Sequence, residues 1–147
     1  MNDSGDLRQT LKDVFAAQRF CVLATQGEGQ PYGSLVAFAE TGDLKQLVFA
    51  THRDSRKFSN LTSDPRVALV IDSRSNNDLD FSNAVAITAL GPAHEAAGGE
   101  RERLAGVYLA KHPSLVGFVG SPEVAVCSVG VEDYFVSGFS DVTRLQA

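Results

Sequence analysis

The chain has 147 residues, 44% of them hydrophobic and 21% charged, with a formal net charge of −5. That length fits a single domain spanning residues 1–147, large enough to bury roughly two thirds of the surface its unfolded form exposes. The acidic balance argues against a nucleic-acid partner, which needs a basic face, and no segment approaches the ~18 apolar residues of a membrane span. The N-terminal stretch MNDSGDLRQTLKDVF is polar and lacks the apolar core of a secretory signal, so a cytoplasmic protein is expected.

Leu7, Leu11, Val14 and Phe15 recur at helical spacing, and Asp3, Ser4 and Asp6 are N-cap candidates for a helix over about residues 5–18. RFCVLATQ and PYGSLVAFAE then read as two strands around a hairpin closed at Glu28–Gly29, and QLVFATH as a third after the turn TGDLK. Asp54 or Ser55 can cap a short helix, SRKFSNLTSD, which Pro65 ends. RVALVID is a fourth strand, and residues 73–82 form a polar loop. NAVAITALGPAHEA is a long fifth strand with a bend at Gly91–Pro92. GERERLAGVYLAKH is a helix with Leu104, Val107 and Tyr108 on one face, and Pro113 starts a helical turn reaching about Phe118. EVAVCSVGV and DYFVSGF, joined at Glu132–Asp133, complete the strands. Six or seven strands with intervening helices predict a mainly β, α+β domain: an antiparallel barrel, with a sandwich or an open sheet as alternatives that periodicity does not separate.

Cys21 and Cys127 lie far apart inside apolar runs and read as buried thiols. Neither has a His at ligand spacing, so no metal is expected. Ser34 lacks the glycine framing of a nucleophile elbow. His52, His94 and His112 are scattered, Asp78 and Asp80 fall in the polar loop, and neither a G-x-G-x-x-G loop nor a Walker pattern occurs.

The densest chemical signal is Thr51-His52-Arg53-Asp54-Ser55-Arg56-Lys57, where a strand hands over to a helix. A helix N-terminus presents unpaired N–H groups and a positive dipole end. Arg56 and Lys57 add full charges there, and Thr51 and Ser55 add hydroxyls. The pattern fits a phosphate site, and equally a solvated, capped helix start.

Taken together, FCVLATQGEGQPYGSLVAFA, LVFATHRDSRKFSNLTSDPRVALVI, NAVAITALGPAHEA and VYLAKHPSLVGFVGSPEVAVCSVGVEDYFVSGF resemble the pyridoxamine-phosphate-oxidase-like family of FMN-binding split barrels, in the branch that includes haem-utilisation proteins. The S-R-K-x-x-N-L-x-x-D-P-R string is the most specific of these, and the likeness covers about residues 5–142. The resemblance implies a split β-barrel of the FMN-binding type. It implies that Arg56 and Lys57, with Ser55, hold the FMN phosphate, that Ala50 and Thr51 bond the flavin side, and that the Ser34, Leu35, Val36 and Ala37 backbone runs along the ring. It also implies a homodimer with each FMN at the subunit interface, acting with an unknown small-molecule substrate or electron donor.

Pyridoxamine-phosphate oxidases proper carry an Arg where this chain has Ser34, a Gln near Ala86, and a C-terminal Trp with a substrate-binding Arg/His motif. This chain has no Trp, and its tail is SDVTRLQA. Haem-degrading relatives use a His in a C-terminal extension, and this sequence stops at Ala147. The resemblance therefore does not extend to pyridoxamine phosphate as substrate or to haem breakdown. Arg53, Thr88 or Arg144 are the residues to compensate for the missing Arg. The expectation is an FMN-dependent oxidoreductase. The alternatives are a flavin-binding stress or sensor module without turnover, a haem- or deazaflavin-binding barrel, and a ligand-free dimer.

Overall fold

The computed structural model describes residues 4–147. Helix α1 (Ser4–Ala17) is followed by β1 (Phe20–Gly27), β2 (Gln30–Glu40) and β3 (Gln46–His52), then α2 (Arg56–Ser63) and β4 (Arg66–Asp72). A short α3 (Asp80–Asn83) leads into β5 (Ala86–Glu95). Then come α4 (Gly98–Lys111), a 3-10 turn (Pro113–Leu115), α5 (Val116–Val119), β6 (Val124–Gly130), β7 (Asp133–Ser137) and β8 (Val142–Gln146). The N-cap candidate Asp3 lies outside the described residues; Ser4 and Asp6 fall within α1.

The hairpin β1–β2 turns where expected. Glu28 and Gly29 both have positive φ, +53° and +81°, the pair of left-handed conformations that matches strand twist in a two-residue turn. β2 then pairs with two neighbours in succession, β1 through Ala37 and β3 from Phe38 to Glu40. β5 does the same on one edge: Ala86–Leu90 pairs with β7, and Ala93–Glu95 pairs with β6. Its other edge pairs with β4 throughout Ala86–Pro92. The switch falls at Gly91–Pro92, where a Cβ on Gly91 would overlap the Gly130 carbonyl, so only glycine allows the strands to meet there.

These switches close the sheet. The order β4-β1-β2-β3-β6-β5, with β5 returning to β4, is a six-stranded antiparallel barrel, and β7 and β8 extend it from β5. The sandwich and open-sheet alternatives are thereby excluded. Three details depart from the sequence expectations. The polar loop ends in the helical turn α3. The strand expected over 133–139 stops at Ser137. An eighth strand occupies the tail, paired to β7 from Val142 to Gln146. β6 and β7 do not form a hairpin; they run one after the other along β5.

The barrel interior takes alternate residues: Cys21 and Leu23 from β1, Val67, Leu69 and Ile71 from β4, Ile87 and Ala89 from β5, and Ala125, Cys127 and Val129 from β6. Helix α1 adds Leu7, Leu11, Val14 and Phe15 to that core. Phe15 meets Phe38 edge-on at 5.7 Å, and the Tyr134 hydroxyl donates to the Leu44 carbonyl at 2.7 Å. A second cluster forms on the outside, where α4 places Leu104 and Tyr108 against Ala39, Val48, Ala50, Val124 and Val126. β6 is therefore buried on both faces, which explains its uninterrupted apolar run. Cys21 and Cys127 are buried free thiols, each pushed up to about 12 by desolvation.

Candidate functional site

The second cluster stops short of the end of β2, and the gap is a cleft of about 530 Å³ on the outer barrel face. One wall is sheet: Leu35, Val36 and Ala37 of β2 and Ala50 and Thr51 of β3. The other is the end of α4 with the turn after it, contributing Tyr108, His112, Leu115 and Phe118. Ser55 and Lys57 stand at the N-terminus of α2, and Arg19, Phe20 and His52 complete the lining. Leu35 and Phe20, exposed by 66% and 55%, form an apolar rim.

The strand-to-helix handover is tightly knit. Ser55 is the N-cap of α2: its Oγ accepts from the Phe58 N–H at 3.3 Å, the short-range bond that favours Ser at this position. Ser55 Oγ donates to the His52 carbonyl at 2.8 Å and lies 3.0 Å from Thr51 Oγ1. Further along α2, Asn60 is buried over Gly27, where a Cβ would overlap its side-chain oxygen. Asn60 Nδ2 donates to Thr25 Oγ1 at 3.0 Å. Asp64 ends the helix, accepting from Gln26 Nε2 at 2.5 Å and from Arg66 at 2.6 Å. The Arg66 hydrogen bonds hold its carboxyl well below the usual carboxylate range. The S-R-K-x-x-N-L-x-x-D-P-R string thus spells out how α2 is capped and pinned to β1.

The residues singled out from sequence divide. Leu35, Val36, Ala37, Ala50, Thr51, Ser55 and Lys57 meet in the one cleft. Ser34 lies just outside its wall, its hydroxyl 3.5 Å from the Leu23 carbonyl. Arg56 points to the opposite flank of α2, into a polar groove shared with Tyr32, Asp54 and Ser59, where its guanidinium stacks 5.2 Å from the Tyr32 ring centroid. Ser55 lines both spaces. Within one chain, none of the three compensating candidates lines the cleft. Arg53 is bound to Glu95 at 2.5 Å and to the Pro122 carbonyl at 2.7 Å. Arg144 pairs with Asp133 at 2.8 Å. Thr88 belongs to β5, away from the cleft.

Sequence reasoning missed Arg19, Phe20, Tyr108, Leu115 and Phe118, and it took His52 and His112 as surface or structural histidines. His52 lies edge-on to Phe118 at 5.4 Å, and His112 is indeed hydrogen-bonded within the protein while also lining the cleft. Among the described residues, no cluster of three His, Cys, Asp or Glu side chains could hold a metal.

A closed six-stranded antiparallel barrel, with an apolar cleft on its outer face running to a helix N-terminus, is a split β-barrel. The profile of the pyridoxamine 5'-phosphate oxidase family matches residues 7–125, and the chain belongs to that family. No curated protein matches it in sequence. Among solved structures it is similar to a heme binding protein from Mycobacterium smegmatis (TM-score 0.79, 20% identity, 90% of this chain and 55% of that one). It is also similar to Campylobacter jejuni ChuZ (TM-score 0.82, 13% identity, 99% and 61%). A third similar structure is a FAD-binding protein from Mesorhizobium loti (TM-score 0.70, 15% identity, 88% and 90%). The chain thus spans little more than half the length of the first of these.

Proposed function

We propose that the cleft binds FMN and that the chain is a flavin-dependent oxidoreductase working as a homodimer. The observation that carries this reading is the continuity of one cleft. An apolar slot between β2–β3 and α4 opens onto the α2 N-terminus with Lys57, Ser55 and Thr51 around it. A flavin ring needs the first part, with backbone groups for its polar edge, and a phosphate needs the second. Lys57 takes the phosphate on one flank of α2, and Arg56 supplies charge from the other. The flavin, once bound, supplies the redox chemistry. The residues of this chain bind it, orient it and exclude water from its buried side.

The rim supports the dimer. Phe20 and Leu35 belong both to the cleft and to an outward sheet face that continues through Val22, Val70 and Leu90. A second copy on that face would cover the apolar patch and close the cleft together. The cytoplasm is the compartment this reading assumes; no helix among the described residues is long and apolar enough to cross a membrane.

Titration of FMN fluorescence against the purified protein, with the mass in solution measured alongside, tests the reading. Saturable quenching at one FMN per chain in a species of twice the chain mass is expected. Unquenched FMN would overturn the assignment of the cleft. A second reading, haem, draws on His52, whose imidazole lines the same cleft. It is separated by its own intense absorption near ~400 nm, produced by the porphyrin rather than by any flavin.

A further inference from the structure

The flavin reading leaves unused a pair of polar groups on the inner wall of the cleft. Tyr108 is 1% exposed and His112 7%. Both line the cleft, with ring centroids 5.1 Å apart and planes tilted by 57°. His112 Nε2 lies 2.7 Å from the Phe38 carbonyl oxygen. A carbonyl only accepts, so Nε2 carries the proton, and in the neutral ring Nδ1 is a bare acceptor. Neither Nδ1 nor the Tyr108 hydroxyl has a hydrogen-bond partner among the described residues. No buried side-chain polar atom among them is shut away unsatisfied. Both atoms therefore reach accessible surface, and both residues line the cleft. Burial pushes the Tyr108 phenol up to about 12, so at neutral pH it is a hydroxyl and can donate.

We propose that Tyr108 and His112 form a donor–acceptor pair selecting an uncharged aromatic ligand that bears a hydroxyl, held in the cleft as the redox partner of the flavin. This rests on the flavin reading for the ligand's redox role. One phenolic or quinol hydroxyl satisfies both groups, its oxygen accepting from Tyr108 and its hydrogen going to His112 Nδ1. A carboxylate or phosphate offers only acceptors, so an anionic oxygen would face the lone pair on Nδ1. Leu115 and Phe118, from the turn after α4, give the ring an apolar face on the side of the cleft opposite the sheet wall assigned to the flavin. Lys57 and Arg19, the cations of the cleft, are contributed by α2 and the segment after α1 rather than by α4.

The test uses two conservative variants. Tyr108→Phe removes a hydroxyl that bonds to nothing in the protein, so melting should be unchanged. His112→Gln keeps an N–H for the Phe38 carbonyl and removes the acceptor at Nδ1. Hydroquinone and benzoate, one neutral and one anionic, are titrated calorimetrically into the full chain with and without FMN. The expected result is hydroquinone bound more tightly than benzoate by the parent, and weakened about tenfold by either variant with benzoate affinity not reduced. A parent that takes up no hydroquinone or prefers benzoate overturns the inference, as do variants with parental affinity. FMN uptake is scored on the same samples. Discrimination between the two rings without FMN uptake would support the pair and strike the flavin reading; FMN uptake without discrimination would strike the pair alone.

Discussion

Adjacent residues on a helix diverge by about 100°, and the first turn of α2 puts Lys57 in the cleft and Arg56 in the groove beside Tyr32. The two cations should therefore be unequal. A charge-assisted contact between Lys57 and the FMN phosphate contributes about 1.5–3 kcal/mol, so Lys57→Ala should weaken FMN roughly 10- to 150-fold. Arg56 is exposed and stacked on Tyr32. At a separation of ~8 Å through water its attraction for a phosphate charge is about 0.5 kcal/mol, so Arg56→Ala should cost only about two- to threefold. Fluorescence-quenching titrations give both affinities. Riboflavin, which lacks the phosphate, serves as the control and should bind Lys57→Ala as it binds the parent. High salt should erase the Arg56 effect first. The reasoning is refuted if Arg56→Ala costs more than Lys57→Ala, or if Lys57→Ala weakens riboflavin as much as FMN.

Other expectations concern the scaffold. Gly91→Ala drives a methyl group into the Gly130 carbonyl at the point where β5 changes neighbours. It should cost about 1–3 kcal/mol in urea unfolding, and an unchanged midpoint would show that the close approach is not required. The Asp80 carboxylate accepts the backbone N–H groups of Ser75, Asn76 and Asn77, which hold its pKa below the ordinary value. Its contribution is present above the unfolded carboxylate pKa of about 3.9 and disappears as the pH falls through the lower folded value. Melting curves of the parent and of Asp80→Asn should differ at pH 7 and converge in acid; a constant offset across pH would exclude this linkage.

The local steps of the fold were legible because they depend on single residues: Ser55 as cap, Pro65 as terminator, Glu28–Gly29 as turn. Barrel closure was expected from the family resemblance and not from periodicity, since the alternation of β1, β4 and β5 is the same whether the sheet closes or stays open. The tail strand β8 escaped notice because Leu145 alone of its residues is buried, leaving no alternation to detect. Tyr108 shows the same limit at the site. Helical spacing assigned it to the buried face of α4, where it is, but only the long-range meeting of α4 with β2 and β3 makes that face the wall of a cleft. Lys57, Ser55 and Thr51 were read from the basic helix start, Leu35, Val36, Ala37 and Ala50 from the family resemblance, and their convergence on one cleft is a product of the tertiary structure.

The visible absorption spectrum of the purified protein, before and after excess FMN and desalting, tests the central claim most directly. Retained bands near ~450 and ~375 nm, released as free flavin on denaturation, are the predicted result. A protein that emerges colourless after FMN and desalting would contradict it.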